Sequence, residues 1–380
     1  MKHLQTYSNT LRRALMLVLS SWCISAFAGT DYYCDFQVNG IYYKYVAGTS
    51  DEVAVSYDNY ETGRYGGNYT NYTGSITVPA AVTYGSKTYK VTAVTSHAFE
   101  ECSVTHVHLP STIKSIGVAA FLNCSQLLSM TLPQTVTTIG ASAFNGCVSM
   151  LSANIPEGVT EISDNAFNNC QSLRSITIPS TVTAINSNAF YGCSNLSSIV
   201  IPNSIESVQG DAFYGTAWYN NQPDGLLYVG KVAYKYKGTM PEGTEIALTS
   251  GTTMISSNAF LGCSGLKSID IPEGVTSIGS TAFSGCINLT SVTIPKSVTS
   301  VGSSSTSLFY GCTSLKEVTV LCPTVAPWMF RELGSLENVT FGEEVKTIGS
   351  NAFYLCKGLT SVTIPENVTG IDSQAFANCI

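Results

Sequence analysis

Charge and histidine are scarce in this chain. Asp, Glu, Lys and Arg make up only 11% of its 380 residues, and four histidines occur. So few charges are unusual for an ordinary globular surface. Beyond the N-terminal segment no apolar run approaches the 18 or more residues of a membrane span, because Ser, Thr, Asn and Gly interrupt every hydrophobic stretch. Patterns that carry catalysis are missing too: the sequence holds no G-x-S-x-G, no H-E-x-x-H and no C-x-x-C. Gly225 to Val232 (GLLYVGKV) comes close to a phosphate-binding loop, but Val232 stands where the magnesium-binding hydroxyl belongs, and the stretch reads as a hairpin instead of a strand-to-helix turn. No cofactor is implied. His106 and His108 share the outward face of one strand, a geometry able to hold a metal, yet no third ligand is evident beyond the nearby Glu100 and Glu101. Two solvated histidines are the simpler reading. Glu157, Glu242 and Glu273 follow prolines in recurring P-E-G triplets and read as loop acids.

What is present begins with an export signal. Lys2, Arg12 and Arg13 precede an apolar run, Ala14 to Leu19, that leads to Ala26-Phe27-Ala28. This is the order of a secretory signal peptide cleaved after Ala28. Acylation at Cys23 is the alternative, disfavoured by the bulky Trp22 before it. Residues 1–28 contain three basic and no acidic residues, so the mature chain keeps 15 basic against 25 acidic ones, a net charge of −10. Nucleic acid is a poor partner for it.

The rest of the chain is periodic. Phenylalanine recurs at 121, 144, 167, 190 and 213 in steps of 23, and again at 260, 283, 309, 330, 353 and 376; with Phe99 these mark twelve turns. A period of this length signals a solenoid. Within one turn the order is Leu173, Ile176, Ile178, Pro179, Val182, Ile185, Ala189, Phe190, Cys193. The I-x-I part alternates as a short strand that the proline ends. V-x-x-I reads as a second extended segment and N-A-F-x-G-C as a tight helical turn. A unit of 23 residues cannot bury its own Leu, Ile and Phe, so turns must stack on one another, each adding a strand to a parallel sheet.

L-x-x-I-x-I-P followed by V-x-x-I and A-F-x-x-C resembles the BspA-like leucine-rich repeat family of bacterial surface proteins, over Thr73 to Ile380. The fold expected is a leucine-rich-repeat solenoid, mainly β with short helical turns, of about twelve 23-residue repeats. The resemblance implies adhesion, with host matrix or cell-surface proteins as ligands. One departure matters: Thr181, Ser204 and Ser297 stand where leucine-rich repeats usually carry a turn asparagine, so a buried asparagine ladder is not expected. Ile380 falls where a new strand should begin, and the array is expected to run on beyond it.

Ten of the 13 cysteines lie three residues past a repeat phenylalanine, while Thr216 and Leu333 take that place in two other turns. A position that accepts Cys, Thr or Leu asks for a small packed side chain, not a thiolate. The repeat ladder is thus Phe121, Cys124, Phe144, Cys147, Phe167, Cys170, Phe190, Cys193 and their equivalents. Disulfides between turns are the competing arrangement: strand spacing allows them, but side chains stacked in register point in parallel.

Two segments break the period. Residues 29–72 form a Tyr-rich cap with a hairpin signal at Asn39-Gly40, and an inserted hairpin lies within about 218–241, turning at Gly230-Lys231. Because identical turns give a ligand no unique register, specificity is expected in these segments if the solenoid is an adhesin; shielding of the core is their alternative role. The candidate contacts are Tyr42, Tyr43 and Tyr45 in the cap, with Tyr228, Lys231, Tyr234, Lys235, Tyr236 and Lys237 in the hairpin. The repeat face offers small hydroxylic residues, such as Ser175 and Thr177 or Ser291 and Thr293. The function expected is therefore a secreted or cell-surface binding protein without catalysis, adhesin-like, with protein ligands and, as a second class, glycans. A structural surface component without a specific ligand is the alternative.

Overall fold

A computed structural model describes residues 34–57, 72–302 and 307–379. The signal-peptide and Cys23 readings therefore fall outside the described residues, as do much of the Tyr-rich segment and Ile380. The array is a solenoid in which each turn contributes to three stacked ladders.

The first ladder is made by the I-x-I strands. Ser175–Thr177 pairs in parallel with Ser198–Val200, and Ser291–Ile294 with Glu317–Val320 and Asn338–Phe341, each shifted by one turn. Alternation sends Ile176 and Val292 into the core and leaves Ser175, Thr177, Ser291 and Thr293 exposed. The V-x-x-I segments make the second ladder: Ile162, Ile185 and Val208 stand opposite one another in parallel register, and all are buried.

The third ladder carries the Ala-Phe pairs, and here the helical expectation is corrected. The segment is a run of turns whose N–H groups alternate in direction. Asn165, Phe167 and Asn169 donate to Ser187, Ala189 and Tyr191 of the next turn at 2.8–2.9 Å, whereas Ala166, Asn168 and Cys170 donate three residues back within their own turn. A helix would send every N–H backward along its own axis. The alternation needs left-handed backbone two residues on either side of phenylalanine: Asn165 and Asn169 have φ of 56° and 57°, and Asn188 and Gly192 have 56° and 69°. Asparagine and glycine tolerate that region best, which is why the sequence reads N-A-F-x-G-C.

Phenylalanine rings fill the centre. From Phe99 to Phe213 successive rings stack 4.9–5.6 Å apart, and from Phe260 to Phe376 5.1–5.5 Å apart. Each such pair adds about 0.5–1.5 kcal/mol beyond the burial of its area. In place of an asparagine ladder there is a hydroxyl one. Thr181 Oγ1 donates to Val159 O at 2.8 Å, Ser204 Oγ to Val182 O at 2.7 Å and Ser297 Oγ to Val275 O at 2.8 Å. Asn367 fills the same role late in the array.

At the N-terminal end the strands Phe36–Val38 and Ile41–Tyr45 form an antiparallel hairpin through Asn39 and Gly40, both with positive φ. Glu52–Ser56 follows and starts the parallel ladder against Lys87–Val94. The aromatic stack ends on Tyr72, whose ring lies 4.7 Å from Phe99. Its hydroxyl donates to Ser56 O at 2.7 Å and accepts from Tyr42 N at 2.9 Å.

The second hairpin pairs Gly225–Val229 with Val232–Lys237, turning at Gly230 with φ 58°. It lies inside the array: Val232 and Ala233 pair in parallel with Met254 and Ile255, so this strand is itself a rung.

Candidate interaction surfaces

The ladder cysteines are hydrogen-bonding members of the core. Cys147, Cys170 and Cys193 donate their S–H to Phe121, Phe144 and Phe167 O of the preceding turn at 3.0–3.2 Å, and the pattern recurs at Cys286, Cys312 and Cys356. The purely apolar plug is thereby corrected, since the site provides an acceptor. Burial raises the Cys170 thiol well above its ordinary range and pushes Cys356 up to about 12. Burial thus holds Cys170 and Cys356 away from the thiolate form that makes a cysteine reactive.

Tyr43 and Tyr234 are 1% and 0% exposed, so both leave the set of ligand contacts and belong to the core. Alternation turns Tyr43 inward beside Ile41, whereas Tyr234 follows Val232 and Ala233 in a stretch buried at three successive positions because the strand lies inside the array. Tyr42 is half-buried over Tyr72, and Tyr45 packs 5.3 Å from Phe36 and 5.2 Å from Tyr89. The Tyr228 hydroxyl accepts from Thr249 N at 3.0 Å, and burial raises the Tyr236 phenol.

The three hairpin lysines face the preceding turn. Lys231 pairs with Glu206 at 3.0 Å and Lys235 with Asp211 at 2.5 Å, while Lys237 donates to Asn220 O at 2.8 Å and to Gln222 O. Two of the three candidate lysines are thus paired with carboxylates within the chain.

Sequence reasoning passed over the residue just after each phenylalanine. Tyr191, Tyr214 and Tyr310 stand there exposed, with Tyr191 and Tyr214 stacked 5.8 Å apart and Lys235 Nζ 5.0 Å from the Tyr214 ring. In the turn after Tyr310, Arg331 lies 4.9 Å from the Trp328 ring and 5.8 Å from that of Tyr354. The signal was visible as A-F-Y and F-Y in the repeat. Leu128 and Leu151 add adjacent exposed apolar side chains on the strand side.

His106 and His108 have near-parallel rings 6.4 Å apart on their strand, and His97 Nδ1 lies 2.6 Å from Glu100. Among the described residues no group of three or more His, Cys, Asp or Glu is placed to hold a metal ion, and no helix is long and apolar enough to cross a membrane.

The family model for the BspA type leucine rich repeat region matches in six copies, over residues 92–218, 232–325 and 323–380, which is more than half of the chain. The chain belongs to that family. No curated protein matches this BspA-type protein. Among solved structures it is similar to a leucine-rich repeat protein from Bacteroides ovatus, with 27% identity, 91% of this chain and 92% of that chain covered, and a TM-score of 0.47. It is also similar to a leucine rich cell surface protein from Faecalibacterium prausnitzii (26% identity, 90% and 92% covered, TM-score 0.43). A third likeness is to a leucine-rich repeat protein from Eubacterium ventriosum (26%, 77% and 90%, 0.41).

Proposed function

We propose that the protein is a secreted or cell-surface binding protein, adhesin-like, that uses its solenoid as a protein-interaction surface, with host matrix or cell-surface proteins as ligands. The observation that carries this reading is the exposed, stacked pair Tyr191 and Tyr214 just after successive repeat phenylalanines, with Tyr310 exposed in the equivalent place of a later turn. Tyrosine on a fixed backbone offers large contact area at small entropic cost, and Tyr, Trp and Arg dominate the energetics of protein interfaces. Family membership and the export signal in the first 28 residues agree with a surface location.

The test is capture of the purified mature chain on immobilised matrix proteins and on a glycan array, beside a Tyr191→Ser/Tyr214→Ser variant that keeps the wild-type circular dichroism. Saturable protein capture, weakened at least tenfold in the variant, is expected. Capture by glycans alone would assign a glycan-binding module. Absence of any capture would leave a structural surface component.

A further inference from the structure

The two hairpins share a plan as well as a position. Phe36-x-Val38-Asn39-Gly40-Ile41-Tyr42-Tyr43-Lys44-Tyr45 aligns with Leu227-x-Val229-Gly230-Lys231-Val232-Ala233-Tyr234-Lys235-Tyr236, and Val38↔Ile41 matches Val229↔Val232 in register. The central tyrosine of each is buried. Each hairpin lies at the edge of a sheet that continues as parallel strands, the first through the intervening antiparallel strand Glu52–Ser56 and the second directly, and each is followed by the strand that opens a new outer ladder, Thr73–Thr77 in the first case and Thr244–Ala247 in the second.

Just before the second hairpin the first series of turns closes. Thr216 caps the short helix Ala217–Asn220, with Tyr219 N donating to its Oγ1 at 3.0 Å. Trp218 covers the Phe213 ring at 5.1 Å. The Phe213 N–H, which in other turns donates to the next alanine carbonyl, donates instead to the Tyr234 hydroxyl at 3.0 Å. Both parallel sheets and the ring stack break together here. The buried apolar cluster runs on across this point from Phe213 to Val229, Val232, Tyr234 and Met254, and the polar contacts beside it are Lys231 to Glu206, Lys235 to Asp211, Lys231 N to Ile205 O, and Ser256 Oγ to Val208 O.

We infer that the chain is two capped arrays in series, the second hairpin being an N-terminal cap of its own, and that the two arrays unfold as separate units at this seam. Within each array neighbouring turns are coupled by stacked rings and buried hydrogen bonds. At the seam the stacked rings give way to the edge-on Tyr234 and its one buried hydrogen bond, flanked by ion pairs that salt screens.

The experiment is hydrogen–deuterium exchange of the full mature chain at stepped urea concentrations, comparing wild type, Tyr234→Phe and Lys235→Gln. Peptides from the Phe99–Phe213 turns and from the Phe260–Phe353 turns should lose protection at different urea midpoints. Tyr234→Phe should move the first midpoint down and leave the second within error. Lys235→Gln, or 1 M salt on wild type, should raise exchange selectively around residues 205–237. A single midpoint shared by both sets of turns and moving as one in either variant would overturn the inference.

Discussion

At Phe167 the backbone N–H donates to Ala189 O of the next turn at 2.8 Å, and the ring has Phe144 on one side and Phe190 on the other. At Phe213 the following phenylalanine is missing, and a side chain does the same work: Tyr234 accepts the N–H and sets its ring edge-on at 5.8 Å. A regular turn is therefore stabilised by repetition, because any neighbour with the same backbone will serve. The seam is stabilised by particular residues, and its stability rests on a few atoms. The N-terminal cap belongs with the seam, since Tyr72 ends the stack through one phenol.

The contrast is broken most severely from the regular side. Phe167→Ala removes a fully buried ring with two stacked neighbours and should cost about 3–5 kcal/mol, read as a fall in the urea midpoint of the first array. Tyr72→Phe keeps the ring and deletes the hydroxyl, leaving the Ser56 carbonyl and the Tyr42 N–H without that partner. It should cost about 1–3 kcal/mol in the same assay. Cys170→Ser is milder, about 1 kcal/mol, because Phe144 O is already placed to accept and Thr216 Oγ1 bonds Phe213 O at 2.8 Å in the native chain. Leu355 occupies a left-handed site, φ 62°, where other turns carry glycine; Leu355→Gly should be neutral or stabilising by up to about 1 kcal/mol.

Stability should also depend on alkaline pH with a definite sign. Burial raises the thiols of Cys263 and Cys356 from 9.0 to about 12 in the folded chain. The folded state thus holds those protons more tightly than the unfolded one. Their contribution is complete below pH 9 and is lost as pH rises from 9 towards 12. Urea midpoints measured at pH 8 and pH 10.5 should fall in that order, and a Cys263→Ala/Cys356→Ala variant should fall less.

The solenoid was legible because each turn repeats the same apolar spacing, and stacking is the one way to bury it. The left-handed residues of N-A-F-x-G-C were printed in the sequence yet read as a helical turn, since periodicity alone does not distinguish a helix from alternating turns that bond to a neighbour. The cysteine acceptor was hidden for a related reason: Phe144 O is 26 residues from Cys170 and becomes its partner only when turns stack. Of the candidate contacts, Tyr43 is buried by strand alternation and Tyr234 by its place on a strand that is itself a rung of the array, which aromatic content alone does not reveal. The lysines were read without Glu206 and Asp211, which the solenoid brings from the turn before.

Adjacent turns supply one another's hydrogen-bond acceptors, the following turn for the phenylalanine N–H groups and the preceding turn for the ladder thiols. The most direct test is alkylation of the unreduced chain, native and in denaturant, followed by peptide mass mapping. The account predicts that Cys124, Cys147, Cys170, Cys193, Cys286, Cys312 and Cys356 stay unlabelled in the native protein and are all labelled once it is denatured. Denatured peptides that remain unlabelled and are joined in pairs, each pair two hydrogens lighter, would show disulfides along the ladder and contradict it.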